Sequence, residues 1–461
     1  MNLTAPAAVA ALETAFLDML GAEPGGFGAF ESEARSVALA SCAEAMSRAL
    51  EARDRELAAS RPKGLRVHSR RPRALATMCG DVRFRRTVLV DGAGLTRYPL
   101  DEELDLPAGD RVSPSARSFL ATCGADVPFA RTAELMAIAG GSPVSATTVM
   151  DSVRSAGEAI AGIERARARD LFRDGVAPRA DSAAEEVLVE ADGTWVRMRD
   201  GSMAEVKAVV AYAGKEEGRG VEPVRLGCVG EAPGDFRGRA VAQVGSRFDL
   251  ARVERVRLGT DGEAQYVNGA ASMPFADVAG FIDPFHVFRA VGRYAPSPDG
   301  SRLVSVLRSE GADACAGAIE AMVGAGTAAS GAEGVAAYLR RHAAEIGGGP
   351  SMGAMEAEQQ HMCKVRMGSF PCAWSPEGAD AMARLRSWLG SGFALPPRTR
   401  ESEQSPRRRE RRGRKLARHL ARRAGGRVES EGKGWEYPLA ASLKGFRADV
   451  RYEAVGAPLG W

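Results

Sequence analysis

Two aspartates of this 461-residue chain each follow a strand-like apolar run and precede a glycine. Asp192 comes after 187–189, and Asp261 comes after 253–258. Asp-Gly is a favoured dipeptide of hairpin turns, and six such pairs occur in the chain, which makes a plain turn one interpretation. The other is a shared site, because strand ends at one edge of an α/β sheet converge on a crevice.

Carboxylates in a shared site repel one another, so one of them tends to stay protonated unless a cation is present. Mg²⁺ takes few carboxylates and keeps waters or phosphate oxygens as its other ligands. Two such ions about 4 Å apart suit in-line attack at a phosphodiester, one at the nucleophile and one at the leaving oxygen. Asp192 and Asp261 therefore predict a site for two ions, Mg²⁺ or Mn²⁺, if the fold brings them together.

The elements that would position these acids predict an α/β fold. Short apolar runs typical of strands precede a long stretch rich in Ala and Gly that is typical of helices. Three consecutive strands, with acids after the first strand, after a later strand and on a late helix, suggest an RNase H-like core with a mixed sheet. The expected strands are 187–189, 195–198, 206–212, then after a Gly-rich connection 253–258, and a run ending at Phe281-Ile282; the expected helices cover 285–345 and 352–366.

The N-terminal part is expected to be mainly helical around one hairpin. Residues 1–60 are rich in Ala, Glu and Arg, which favours helices, whereas 61–75 are basic and loop-like. The alternating residues of 76–99 predict a hairpin whose turn contains Asp91-Gly92.

Two further helices, separated by Gly140-Gly141, fit a helix-turn-helix. Ser145 is the expected N-cap of the second helix. DNA reading by Thr147, Thr148 and Arg154 is one interpretation, and ordinary helix packing is the other. The second helix is expected to turn Val149, Val153, Ala156 and Ile160 inward and Thr147, Thr148, Asp151, Ser152 and Arg154 outward.

Positive charge is concentrated in two blocks of a chain whose net charge is only +3. Residues 61–86 hold nine Lys or Arg against one acid, and 398–427 hold thirteen against three. Such blocks predict a polyanionic partner, most simply nucleic acid, with a solvated tail as the alternative. In the second block, the residues expected on DNA phosphates are Arg407, Arg408, Arg409, Arg411, Arg412, Arg414 and Lys415.

Composition argues against several other classes of protein. The sequence contains no window of about 18 apolar residues and no N-terminal secretory pattern, so we expect neither a membrane span nor export. Seven cysteines without a CxxC pair are typical of reduced thiols in a cytosol. Five histidines disfavour a histidine-rich metal site.

Eight motifs, which cover most of residues 70–390, match one group of enzymes in order and spacing. They are "RALATMCGDVRFRRT" (73–87), "YPLDEELDL" (98–106), "VSPSARSFLATCGADVPFARTAELM" (112–136), "VEADGTWV" (189–196), "GTDGEAQYV" (259–267), "FIDPFHVFRAV" (281–291), "GAMEAEQQHMCKVRM" (353–367) and "WSPEGADAMARLR" (374–386). On these motifs the chain resembles the bacterial ISLre-type insertion-sequence transposases, relatives of the Mutator-like DDE transposases.

The resemblance implies that Asp192, Asp261 and Glu356 are the catalytic residues and metal ligands. Intervals of 69 and 95 positions separate them, and the longer one leaves room for a helical insertion before the last acid. The resemblance also assigns a supporting role to Asp283 and His286 of the Asp-Pro-Phe-His motif. Each residue has a structural alternative: the aspartates suit turns, and Asp283 before Pro284 suits a helix N-cap.

Glu356 has a rival two positions later in the chain. Glu358 would point to a different face of the same helix, so only one of the two can enter the site. The motif spacing favours Glu356.

The resemblance further implies a DNA transposase that cuts the 3′ ends of its element and joins them to target DNA. The alternatives are a metal-dependent nuclease on the same core and a transposase-derived DNA-binding protein without activity. The implied partners are double-stranded DNA, at element ends and target, and further copies of the chain on DNA; the implied location is cytoplasmic, at the nucleoid. The expected organisation is a helical segment at 1–60, a basic loop and β-hairpin at 61–112, a helical DNA-binding region at 113–180, the catalytic core at 181–292 and 346–395, the helical insertion at 293–345, and a basic C-terminal segment at 396–461.

Overall fold

The protein is a mixed α/β structure. The computed structural model describes residues 6–22, 25–217, 219–260, 275, 277–282, 284–294, 299–346, 353–368 and 372–397. These residues form two compact units whose boundary falls between Ser155 and Ala156. Within the described ranges, no helix is both long enough and apolar enough to cross a membrane.

The first unit surrounds a three-stranded antiparallel sheet with helices. The sheet has the order β1-β2-β3. Its elements are α1 (Pro6–Gly21), α2 (Phe27–Ala59), β1 (Arg66–Thr77), β2 (Gly80–Val90), β3 (Thr96–Arg97), α3 (Pro99–Glu103), α4 (Pro114–Asp126) and α5 (Phe129–Gly140); α6 (Ala146–Asp174) starts here and continues into the second unit.

The hairpin of this unit differs from the expected one. The segment 61–75 was expected to be a loop, but β1 starts inside it at Arg66 and pairs with β2 along nearly its whole length. Only the two-residue β3 forms the expected return strand. The turn at Asp91 is confirmed, since its carboxylate accepts the N–H groups of Ala93 and Leu95, each at 2.8 Å.

Helix α2 covers the edge of β2 that faces away from β1. Alternate N–H groups of β2 point outwards along this edge, and side chains on one face of α2 accept them, as a neighbouring strand would. Asp54 is fully buried there and also accepts the Thr87 hydroxyl at 2.7 Å. The backbone bonds run from Arg83 N–H to Ser47 Oγ at 3.2 Å, from Arg85 N–H to Glu51 Oε1 at 2.7 Å, and from Thr87 N–H to Asp54 Oδ1 at 2.8 Å.

The two helices expected around Gly140-Gly141 are α5 and α6. Gly141 ends α5 in the left-handed conformation, with φ at 70°, which favours glycine. Ser145 Oγ accepts the N–H of Thr148 at 3.1 Å, as expected for the N-cap. The expected exposure of Ser152 was wrong: it is buried, and its hydroxyl donates to the carbonyl of Thr148 at 2.8 Å.

The second unit contains a five-stranded mixed sheet of order β10-β9-β4-β5-β8. The strand β4 is antiparallel to β5 and parallel to β9; β5 is antiparallel to β8, and β9 is parallel to β10. The elements are β4 (Glu186–Arg197), β5 (Met203–Tyr212), β6 (Lys215–Glu216), β7 (Arg219–Gly220), β8 (Val224–Val229), α7 (Pro233–Gly245), β9 (Arg255–Thr260) and β10 (Asp277–Ile282).

Two expectations for this sheet need correction. The expected strands 187–189 and 195–198 are one strand, because β4 runs through Asp192 and Gly193 without a turn. The expected Gly-rich connection contains β8 and α7, which the sequence reading missed.

The helices of the expected insertion follow β10 and pack on one another. Their apolar cluster includes Val287, Leu303, Cys315 and Leu339. The helices are α8 (Pro284–Tyr294), α9 (Asp299–Glu310), α10 (Ala312–Gly324) and α11 (Ala332–Arg341), and after them come α12 (Met355–Gln359), a π-helical continuation (Gln360–Gly368) and α13 (Pro376–Gly390).

The two faces of β4 meet different partners. Val187, Val189 and Ala191 pack with Phe236 and Ala240 of α7. Because successive side chains of a strand alternate, the residues between them point to the other face, on which α12 lies.

A buried ion-pair cluster links α6, α7 and α13. Arg384 contacts Glu164 and also Asp380 at 2.8 Å and Glu231 at 3.0 Å, and Arg239 lies 3.3 Å from Glu164. Burial raises the pKa of Glu164, against the lowering effect of the two arginine charges. The carboxylate therefore depends on both arginines to stay ionised.

All seven cysteines are free thiols, as expected. Burial raises the pKa of the Cys228 thiol, on β8, and of the Cys363 thiol, in the π-helical continuation, to about 12 each. Because the thiolate is the reactive form, both thiols are protected in the folded protein.

Candidate functional site

Asp192 lies inside β4 rather than at a strand end. The parallel neighbour β9 pairs with β4 only as far as Glu190, so Asp192 comes just beyond the end of that pairing. Asp192 is buried, and its Oδ1 accepts the N–H of Gly193 at 2.7 Å. The residue is therefore held on the central strand of the sheet, on the face that α12 covers.

Gln359, the last residue of α12, contacts the other oxygen of this carboxylate. Its Nε2 donates to Asp192 Oδ2 at 2.6 Å and to the carbonyl of Gly193 at 3.2 Å. Gln359 is 3% exposed. A buried hydrogen bond to a carboxylate contributes about 1.5–3 kcal/mol, so this contact fixes the end of α12 on β4.

Glu190, two residues before Asp192 on the same face, fixes the start of α12. Its carboxylate accepts the N–H groups of Gly353, Ala354 and Met355, each at 3.0 Å, and it also accepts the hydroxyl of Tyr212. A carboxylate at a helix N-terminus satisfies donors that the helix itself leaves open, and it is favoured by the helix dipole. Glu190 is thus a positioning residue for α12.

His286 approaches the same carboxylate from the start of α8. Its Nε2 lies 3.7 Å from Asp192 Oδ2, and its side chain is 25% exposed. Asp283, its partner in the motif, lies outside the described residues. Asp261 also lies outside them; it follows Thr260, the last residue of β9, directly.

The two glutamates of α12 have different surroundings. Glu356 is 54% exposed in its side chain, and its Oε1 lies 3.3 Å from Lys364 Nζ. Glu358 is held by Arg225 of β8 through two contacts, at 2.5 and 2.6 Å. Glu358 therefore has a structural partner, and the choice of Glu356 as the acid that enters the site stays a prediction.

The Asp192 carboxylate is bordered by the amide nitrogen of Gln359 and by the imidazole of His286. Among the described residues, no three His, Cys, Asp or Glu side chains are grouped closely enough to hold a metal ion. Asp261 is not among them, so the expected meeting of Asp192, Asp261 and Glu356 stays a prediction.

Only some of the residues expected to contact DNA lie in the part of the chain that the structure describes. Thr147 is exposed at the start of α6, whereas Thr148 and Arg154 are half-buried. The Thr148 hydroxyl lies 3.0 Å from Ser145 Oγ and so takes part in the helix cap. The basic block from Arg407 to Lys415 lies outside the described residues.

The sequence matches a family profile over this region. The uncharacterised protein family UPF0236 matches residues 29–295, which is more than half of the chain. The chain belongs to the UPF0236 family. The matched part includes Asp192, Asp261 and His286 and ends before Glu356.

A relative from Streptococcus gallolyticus bears the same family name, "UPF0236 protein in vanSb 3'region". It is 24% identical to this UPF0236 protein in an alignment of 279 positions that covers 57% of each of the two chains. The chain thus spans a little over half the length of this curated relative.

Sequence reasoning missed Glu190 and Gln359. For Glu190 a signal existed, because an acid two positions before Asp192 in a strand must share its face. Gln359 had a weaker signal: it lies one helical turn after Glu356 and so near the same side of the helix.

Proposed function

We propose that this UPF0236 protein is a DDE-type DNA transposase of an insertion sequence, built on an RNase H-like core. It hydrolyses the DNA at the 3′ ends of its element and then joins these ends to target DNA by attack of the 3′-hydroxyl. Its partners are double-stranded DNA and further copies of the chain.

The observation that carries this proposal is the attachment of α12 to β4. Glu190 and Gln359 hold the helix that bears Glu356 on the face of the sheet that presents Asp192. The strand β9, which leads directly into Asp261, is the parallel neighbour of β4. Two acids of the implied triad thus belong to adjoining elements, and the third follows a neighbouring strand.

In this proposal Asp192, Asp261 and Glu356 hold two Mg²⁺ or Mn²⁺ ions. The ions, when bound, would activate the attacking oxygen and stabilise the leaving one. Gly193 and Gln359 each donate to one oxygen of the Asp192 carboxylate and so fix its orientation. His286 lies beside Asp192, in keeping with a supporting role.

Strand transfer by the purified full-length protein tests the proposal. Linear DNA carrying both flanks of the coding region is incubated with a target plasmid and Mg²⁺, or with EDTA. Cleavage and joining should require Mg²⁺ and should be lost in Asp192→Asn, Asp261→Asn and Glu356→Gln. Glu310→Gln, an exposed acid at the end of α9, is the matched control and should keep full activity.

Binding separates chemistry from recognition in the same variants. Asp261→Asn should keep nearly its whole affinity for DNA ends, because Lys and Arg contacts to phosphates supply most of the affinity. Loss of binding together with cleavage would assign Asp261 a structural role. Mg²⁺-dependent nicking without joining would replace the proposal by a nuclease, and binding without either reaction by a DNA-binding protein.

A further inference from the structure

An open cleft of about 650 Å³ lies in the first unit, beside β1 and β2. We name it the ribbon cleft. Its lining contains five arginines but only two acids, Glu51 and Asp110. The arginines are Arg73, Arg83, Arg85, Arg86 and Arg111.

The floor of the ribbon cleft carries excess positive charge. Arg73 and Arg86 both contact one carboxylate, that of Asp101, which is 2% exposed. Burial, and then the charge of Arg73, lower the pKa of Arg86 to about 10. Because these two guanidinium groups share one carboxylate, one positive charge is left over, and this charge favours the binding of an anion.

The two acids that line the cleft are outnumbered by its five arginines. Glu51 accepts the backbone N–H of Arg85 at 2.7 Å, and Asp110 is bound by Arg117. Asp81 lies 3.7 Å from Arg83, whose side chain is 78% exposed, so solvent screens that pair strongly. The positive charge of the rim is therefore available to a ligand.

The rim arginines are spaced along an extended strand. Arg83 and Arg85 are exposed and stand two residues apart on β2, a rise of about 6.8 Å, which is similar to the distance between successive phosphates of one DNA strand. Arg85 donates to the carbonyl of Arg70 across the strand pair at 3.3 Å, which limits its side-chain freedom. Arg111, also exposed, lines the same cleft.

We propose that the ribbon cleft binds the phosphate backbone of duplex DNA, and that Arg83, Arg85 and Arg111 make the contacts. This inference rests on the proposed function for the identity of the polyanion. Guanidinium groups bind phosphate oxygens through paired hydrogen bonds, and such contacts position a protein on DNA without reading sequence. The contribution is thus equal for element ends and for random DNA.

The test compares two triple variants of the full chain by fluorescence anisotropy with labelled duplex DNA, in EDTA, over a range of salt. The cleft variant is Arg83→Ala, Arg85→Ala, Arg111→Ala. The control is Arg302→Ala, Arg308→Ala, Arg341→Ala, which removes the same charge from exposed positions of α9 and α11. Thermal melting checks that both variants fold.

The cleft variant should flatten the plot of log affinity against log salt by roughly 0.9 for each lost contact, about 2.7 in all, for element and random duplexes alike. The control should keep the slope of the unmutated protein. An unchanged slope in the cleft variant, or an equal change in the control, would overturn the inference. The inference would also be overturned if the cleft variant lost affinity for duplex RNA but kept its affinity for duplex DNA.

The outcome is independent of catalysis, since binding in EDTA needs no reaction. If strand transfer occurs but the cleft variant binds normally, the inference fails and the proposed function stands. If strand transfer never occurs but the slope flattens as expected, the cleft is a DNA site of a protein with another activity.

Discussion

Gln359 Nε2 lies 2.6 Å from Oδ2 of Asp192, and this bond joins a late helix to the central strand of the sheet. Together with the three backbone N–H groups bound by Glu190, it fixes α12 at both ends. The position of Glu356, one turn before Gln359, depends on these two contacts.

Glu190→Gln should loosen α12 without unfolding the sheet. The amide keeps the volume but removes the charge, and its NH₂ group opposes the helix N–H groups, so we expect a loss of about 2–3 kcal/mol in local stability. Cys363, which is buried just after α12, should then react faster with iodoacetamide. Mass spectrometry of the labelled peptide measures this rate.

Cys228 on β8 provides the internal control, since its labelling rate should not change. Glu186→Gln, on the same face of β4, removes a half-exposed carboxylate and should leave both rates unchanged. Equal acceleration at both cysteines would indicate global unfolding and would contradict the local role of Glu190.

Gln359→Glu should make stability depend on divalent metal. The change places a second carboxylate against Asp192, and their repulsion should lower the melting temperature in EDTA. Mg²⁺ should restore part of the loss, whereas Gln359→Ala should respond much less to the ion. A melting temperature that Mg²⁺ leaves unchanged in Gln359→Glu would argue against a cation at Asp192.

Asp54→Ala should destabilise the first unit. It leaves the backbone N–H of Thr87 without its acceptor in a buried place, which costs about 2–4 kcal/mol. Urea unfolding measures the change. Glu44→Ala, on the exposed side of α2, should be indistinguishable from the unmutated protein, and similar losses in both variants would show that the edge contact is unimportant.

Arg384→Met should cost about 3–5 kcal/mol, because it leaves Glu164 buried without its main partner. The pKa of Glu164, already raised by burial, should rise further. When the pKa of an acid is higher in the folded than in the unfolded protein, ionisation of that acid destabilises the fold as pH rises above the unfolded pKa. The loss of stability in Arg384→Met should therefore be smaller at pH about 4 than at pH about 7. The double variant Arg384→Met, Glu164→Gln should recover part of the lost stability, as measured by urea unfolding. If it recovers none, Arg384 and Glu164 are not coupled.

The basic block between Arg407 and Lys415 should act through phosphates alone. Replacing its seven basic residues by Ala should flatten the plot of log affinity against log salt by several units, roughly 0.9 per lost contact, equally for element and random DNA. Contacts to phosphates carry no sequence information, so the loss should not depend on the DNA sequence. An unchanged slope would point to another partner, such as a second subunit.

The sequence predicted those elements whose signal is local. The apolar runs gave β5, β9 and the end of β10, and the cap at Ser145 and the turn at Asp91 followed from side-chain chemistry. The continuity of β4 was missed because Asp192-Gly193 resembles a turn. Pairing with β5 holds this dipeptide in an extended strand, and this pairing cannot be recognised from the neighbouring sequence.

The contacts of the candidate site could not be predicted from local sequence patterns. Asp192 and Gln359 are 167 positions apart, and the Gln359 amide has no charge or periodicity that marks it as a partner. The same holds for Asp54 and Thr87, which are 33 positions apart and meet because α2 lies along the edge of β2. Such pairs are determined by tertiary packing.

The cover of the β2 edge by α2 has a consequence for how the chain is made. Synthesis proceeds from the N-terminus, so Ser47, Glu51 and Asp54 emerge from the ribosome before the residues of β2. The residues of α2 that will accept the N–H groups of β2 are therefore synthesised before β2 itself. Pairing with a neighbouring nascent chain, the usual start of aggregation at an open strand, must compete with a helix of the same chain whose contacting residues lie only 33 to 36 positions away.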